Sequence, residues 1–167
     1  MWFAIVAAYA RLSPRGVLSA PELEARCRDW PFVLYFDGGS RGNPGSGGCG
    51  AVVLNASGLP VVESWAFLDD PRTTNNVAEY CGLLLGAKGL DGIDRCLICG
   101  DSKLVVSQVS GDWRCNDRRL KALRARVLEA LDGTEFEIIH IPRHLNARAD
   151  DLANHAMDTA SSGSRRV

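Results

Sequence analysis

Net charge is nearly absent from this sequence. Nineteen Lys and Arg stand against twenty Asp and Glu, leaving −1. No global field therefore draws the chain toward a polyanion, and any nucleic-acid binding must rest on local basic patches or bound cations. No apolar run approaches the roughly 20 residues of a membrane-spanning helix, so no membrane partner is expected. Histidine is scarce, at three residues, and no second Cys/His pair accompanies Cys96 and Cys99. A zinc site is thereby disfavoured. Those two cysteines lie in an apolar run that reads as a buried strand, where positions three apart point to opposite faces. With Cys27, Cys49, Cys81 and Cys115 they read as plain cysteines of a reducing compartment. No basic residue precedes the apolar stretch Met1 to Ala10, which argues against a secretory signal. The first 21 residues hold Arg11, Arg15, Ser13 and Ser19 but no acid. An organelle leader stays open on that composition. Otherwise a cytoplasmic or nuclear location is expected.

What is present fits one globular domain: 167 residues, 46% hydrophobic and 23% charged. Ser19 and Pro21 mark a helix start, and a boundary falls near Trp30–Pro31. Three strands follow, over 32–37, 48–55 and 61–67, joined by short turns as an antiparallel meander. Thr73 to Asn76 caps a helix with Tyr80, Leu83, Leu84 and Ala87 on one face. Gly82, Gly86 and Gly89 each cost that helix about 1 kcal/mol against Ala. A fourth strand runs from Arg95 to Gly100, and helices follow from Ser102 and from Asp117 to Leu131. A fifth strand covers 136–141, and a last helix runs from Ala147 to Asp158. Residues 159–167 read as a disordered tail.

The chemistry lies in where the acids fall. The first strand ends on Asp37, before the glycine-rich turn Gly38 to Gly45. The fourth ends on Asp101. Glu79 and Asp150/Asp151 sit in first helical turns. If the first and fourth strands are neighbours, Asp37 and Asp101 share one sheet edge and Glu79 can face it. Carboxylates so crowded raise one another's pKa values, and a divalent cation relieves that cost. Oxygen donors without a His/Cys cluster favour Mg²⁺ or Mn²⁺. Two such ions roughly 4 Å apart would activate water against a phosphodiester.

Four segments carry a resemblance. Asp37-Gly38-Gly39-Ser40-Arg41-Gly42-Asn43-Pro44-Gly45, Thr74-Asn75-Asn76-Val77-Ala78-Glu79, Gly100-Asp101-Ser102-Lys103-Leu104-Val105 and the stretch His140 to Asn154 occur in order. Together they resemble the signatures of type 1 ribonuclease H, over about Pro31 to Asp158. The resemblance implies an α/β ribonuclease H-like fold: a five-stranded mixed sheet, order 3-2-1-4-5, flanked by helices. It implies an endonuclease that cuts the RNA strand of an RNA–DNA hybrid duplex, leaving 5′-phosphate and 3′-hydroxyl ends; a monomer is expected. Asp37, Glu79, Asp101 and Asp150 match the metal-binding acids, with Asp37 bridging two Mg²⁺ ions, or two Mn²⁺ ions in their place. Asp150 is in register and Asp151 is one place beyond. Either His144 or Arg143 would stand at the mouth of the site, where many members place a mobile histidine.

The same resemblance assigns substrate contacts. Gly38, Asn43, Asn75 and Asn76 match positions along the hybrid's minor groove, where the 2′-hydroxyl distinguishes RNA from DNA. Arg72 and Thr74 match a phosphate site of the DNA strand, sound on physical grounds at a helix N-terminus. The segment Ser110 to Asp117 is too short for the family's basic protrusion. Arg114, Arg118, Arg119, Lys121, Arg124 and Arg126 make either a solvated face or a partial substitute. Trp113 is expected in the core, with stacking on a sugar of the DNA strand as the alternative. Two other readings stay open: a domain of a larger element such as a reverse transcriptase, or a binding module without catalysis.

Overall fold

A computed structural model describes residues 18–167 of the chain. The leader reading of the first residues falls largely outside that range. Helix α1 (Ala20–Cys27) opens on Ser19, whose backbone N–H and hydroxyl both donate to Glu22. Strands β1 (Phe32–Ser40), β2 (Gly47–Asn55) and β3 (Pro60–Leu68) follow. Then come α2 (Asn75–Lys88), β4 (Arg95–Gly100), α3 (Lys103–Ser110), α4 (Arg118–Ala130) and β5 (Glu135–His140). A 3₁₀ turn (Arg143–Leu145), α5 (Ala147–Thr159) and β6 (Gly163–Arg166) complete the order.

The sheet runs β5-β4-β1-β2-β3-β6. The meander β1–β2–β3 is antiparallel, while β4 pairs parallel to β1 and β5 parallel to β4. The first and fourth strands are thus neighbours, and the order 3-2-1-4-5 holds with one strand added. Alternate residues of β1 and β4 serve opposite faces. Leu34, Phe36, Cys96 and Ile98 join Tyr80, Leu83, Val105 and Val127 on one side. Val33, Leu97 and Cys99 join Leu23, Trp30 and Ile141 on the other. The two cysteines spaced three apart therefore lie in different cores, and the cysteines are free.

Three expectations change. The tail is not disordered: β6 pairs with the outer edge of β3, giving six strands instead of five. Its partners are polar, including Ser164 Oγ against Ser64 Oγ at 2.8 Å and Ser162 Oγ accepting from the Phe67 N–H at 2.9 Å. An edge strand held this way leaves no apolar alternation to read. Packing continues across the expected boundary near Trp30–Pro31. Trp30 and Leu23 are buried against the sheet, Arg95 lies 4.4 Å from the Trp30 ring, and Arg26 pairs with Glu137 of β5. Strand β1 does not stop at Asp37 but continues to Ser40, because Gly38 to Ser40 keep their ladder with Gly47 to Cys49. Trp113, expected in the core, is 47% exposed, with Lys103 Nζ 5.9 Å from its ring.

The helix glycines explain themselves in packing. A Cβ on Gly82 would lie 2.3 Å from Asp37 O, and one on Gly86 would lie 2.5 Å from the Leu34 side chain. The propensity lost in α2 is exchanged for contact between helix backbone and strand.

Candidate active site

Asp37 comes from β1, buried to 6% exposure. Glu79 comes from the second turn of α2, after Thr74 caps the helix by accepting from the Val77 N–H. Asp101 follows β4 directly. One carboxylate oxygen from each of the three lies within 4.8 Å of the others, and among the described residues no other such cluster occurs.

Electrostatics follow from this crowding. Burial, then the nearby Asp101 and Asp150, pushes Asp37 up to about 7, against a hydrogen bond from the Gly38 N–H at 2.8 Å. Burial, then Asp37 and Asp101, pushes Glu79 up to about 9. The Oε2 atom of Glu79 is enclosed and has no hydrogen-bond partner. A buried carboxylate oxygen without a donor is costly. An orphaned acceptor among three converging carboxylates fits a hard divalent cation bound through oxygen. The donor set offers no sulfur or imidazole to a softer ion.

Asp150 lies on the first turn of α5, outside the triad but close enough to Asp37 to raise its pKa. Its two oxygens accept from Arg143 at 3.1 Å and Asn154 at 2.9 Å. Asp151, its neighbour, is exposed. Of the two residues considered for the mouth of the site, Arg143 reaches Asp150, and that contact holds its guanidinium above its ordinary pKa. His144 is exposed on the 3₁₀ turn. His140 belongs to β5, where its Nε2 lies 3.1 Å from Asp101 O.

Asn146, which carried no role in the sequence reading, is central. It is 1% exposed, and its Nδ2 donates at 2.9 Å both to Phe36 O and to Asp101 Oδ1. It thereby ties β1 at Phe36, the acid after β4 and the start of α5 together. Its signal was the Asn four residues before Asp150, at the junction into the helix.

All but one of the expected substrate residues gather as a rim at the start of α2. Asn75 Oδ1 accepts from the Ser40 N–H and hydroxyl at 3.0 Å each, and Asn43 Oδ1 accepts from the Asn75 N–H at 3.0 Å. Asn43 itself has a φ of 27°, a value Asn tolerates better than most residues. Asn76 is exposed beside them. Gly38 is buried, and a Cβ there would lie 2.1 Å from Ala78 O. Its place is against α2, not on the open surface. Arg72 is bonded to Asp70 and exposed. Arg119 of α4 donates to Arg72 O at 2.9 Å and to Asp70 at 3.1 Å, so the basic helix meets this rim.

Comparison with known proteins agrees with this geometry. A family model described as reverse transcriptase-like matches residues 35–156. The chain is 44% identical over 129 residues to "Ribonuclease HI" of Halobacterium salinarum, covering 75% of this chain and 64% of the relative. It is 44% identical over 135 residues to "Bifunctional protein Rv2228c" of Mycobacterium tuberculosis, of which it spans 36%. The chain thus covers less than two thirds of these curated relatives. The crystal structure of the Halobacterium RNase H1 superposes with a TM-score of 0.72 at 41% identity, over 77% of this chain and 98% of that one. LC11-RNase H1, solved in complex with an RNA/DNA hybrid, superposes with a TM-score of 0.72 at 35% identity, over 77% of this chain and 98% of that one. On its acids, its fold and these likenesses, the chain belongs to the type 1 ribonuclease H family.

Proposed function

We propose that this chain is an endoribonuclease that cleaves the RNA strand of RNA–DNA hybrids, with two divalent cations, Mg²⁺ in the first instance. The observation that carries the reading is the convergence of Asp37, Glu79 and Asp101 within 4.8 Å around an unpartnered Glu79 oxygen. Asp37, Glu79 and Asp101 would hold one ion, with Asp37 and Asp150 holding the second. When bound, such ions lower the pKa of a coordinated water and neutralise charge on phosphodiester oxygens.

The chain's own groups do the rest. The Gly38 N–H and Asn146 Nδ2 fix one oxygen each of Asp37 and Asp101, so the acids meet the ions already oriented. Arg143 balances the charge on Asp150. Asn43, Asn75 and Asn76 line the rim where ribose 2′-hydroxyls would lie, while Arg72, Thr74 and Arg119 offer a DNA-strand phosphate a helix N-terminus with flanking guanidinium groups. Cleavage would leave a 5′-phosphate and a 3′-hydroxyl.

The test is a substrate panel: RNA–DNA hybrid, duplex RNA, duplex DNA and single strands, each with Mg²⁺ or Mn²⁺. Cutting confined to the hybrid's RNA strand is expected. Equal cutting of duplex RNA would contradict the rim's assigned role, and hybrid binding without cutting would favour a binding module.

A further inference from the structure

Glu63 has no role in the account so far, and its surroundings give it one. It lies on β3 with 4% exposure. Its Oε1 accepts from Arg148 Nε at 3.0 Å and Nη2 at 2.8 Å, and its Oε2 accepts from Arg165 Nε at 2.6 Å. One carboxylate therefore joins β3, the first turn of α5 and β6. A carboxylate so enclosed is costly unless both oxygens are paired, and here both are. The two arginine side chains are 49% and 64% exposed, so solvent screens the pairs and limits their part in overall stability. Their consequence is geometric.

Helix α5 rests on β2 at Gly48 and Gly50. A Cβ on Gly50 would lie 2.5 Å from Leu152 Cβ and 2.6 Å from Ala149 O, and one on Gly48 would lie 2.5 Å from Ala153 O. A trough without side chains lets the helix lie close but gives its ridges little to interlock with. Resistance to sliding and rolling must come from contacts beside the trough. Asn146 supplies one, toward Phe36 and Asp101. Arg148 supplies another, toward Glu63 on β3. Asp150 follows within one turn of both, so its carboxyl inherits the register they set.

We propose that Glu63, through Arg148 and with Arg165, is a positioning residue that places Asp150 opposite the Asp37–Glu79–Asp101 cluster. This rests on the proposed function, in which Asp150 is the fourth acid. It also gives β6 a part in the active site: without Arg165, half of the Glu63 carboxylate loses its partner, and the hold on Arg148 slackens.

The test uses the full chain, ¹⁵N-labelled, as wild type, Glu63→Gln, Arg165→Ala and Trp65→Phe. Trp65 is the control. It packs its ring against His155 of α5 with 5.4 Å between centroids and donates from Nε1 to Ser161, with no hydrogen bond to the Glu63 network. The readouts are the Asp150 amide signal in metal-free protein, the Mg²⁺ concentration for half-maximal hybrid cleavage, and KM for the hybrid. Glu63→Gln and Arg165→Ala are expected to move the Asp150 signal and raise the half-saturating Mg²⁺ roughly tenfold, with KM held within about twofold. Trp65→Phe is expected to do neither. An unmoved Asp150 signal with unchanged Mg²⁺ dependence would overturn the proposal, whatever happens to the melting temperature. If Glu63→Gln fails to fold, Arg165→Ala on the exposed edge strand decides the matter alone. If the wild type does not cut hybrid, the activity reading fails, and the Asp150 signal still decides the positioning.

Discussion

Gly38 of β1 faces the α2 backbone, and Gly82 of α2 faces the β1 backbone at Asp37. A Cβ on Gly38 would lie 2.1 Å from Ala78 O, and one on Gly82 would lie 2.3 Å from Asp37 O. Two missing side chains thus let strand β1 and helix α2 touch, and that contact brings Glu79 to Asp37. Gly82→Ala must push the two apart. We expect it to cost about 1–3 kcal/mol by overpacking, measured by denaturant unfolding. Hybrid cleavage should fall by about tenfold or more, because displacement at the reacting groups is expensive. Gly92→Ala, where a Cβ would meet nothing within 4 Å but φ is +77°, should lose stability alone.

The acid cluster makes a pH prediction for metal-free protein. Asp37 is raised to about 7 and Glu79 to about 9, from ordinary values near 4. The folded state therefore holds protons that the unfolded state has already released. The stability these protons confer is full below about pH 4 and is lost as pH rises toward about 9. Asp37→Asn and Glu79→Gln should each stabilise the metal-free protein at pH 8, by on the order of 2 kcal/mol, and far less at pH 4. Mg²⁺ should raise the melting temperature of the wild type more at pH 8 than at pH 6, since it competes with those protons. Scanning calorimetry across pH checks both statements.

Asn146 bridges Phe36 O and Asp101 Oδ1 from a site 1% exposed. Asn146→Ala removes both bonds and takes a donor from the buried Phe36 O and the half-buried Asp101 Oδ1. A loss of about 1–3 kcal/mol is expected, with cleavage reduced roughly tenfold or more. Asn146→Asp should be worse for activity, since it sets another carboxylate against Asp101.

Arg143 and His144 separate by reach. Arg143 contacts Asp150 from a side chain that is 79% exposed, so Arg143→Ala should change stability by less than about 1 kcal/mol. It should nevertheless lower kcat severalfold and change the Mg²⁺ dependence of cleavage. His144→Ala should have the smaller effect. Steady-state kinetics over a Mg²⁺ series distinguishes the two.

The sequence was most readable where residue chemistry is local. Thr74 before the α2 helix, the apolar run of β4 and Asp101 at its end all survive in the structure, because capping and burial act within a few residues. What it did not show depends on distant partners. β6 is polar and is held by Glu63 and Ser64. Trp30 is buried by strands that come later in the chain. Glu63 looked like any β3 acid until Arg148 and Arg165 were placed beside it, 85 and 102 residues away. The helix glycines read as a cost, and their contacts with Asp37 O and Leu34 show their use.

The most direct measurement is cleavage of a hybrid labelled separately on each strand, with Mg²⁺, by wild type, Asp37→Asn and Asp101→Asn. The account predicts metal-dependent cutting of the RNA strand alone, abolished in both variants while hybrid binding persists. Undiminished cutting by either variant would contradict the assignment of these acids. Absence of cutting by the wild type with either Mg²⁺ or Mn²⁺ would contradict the account as a whole.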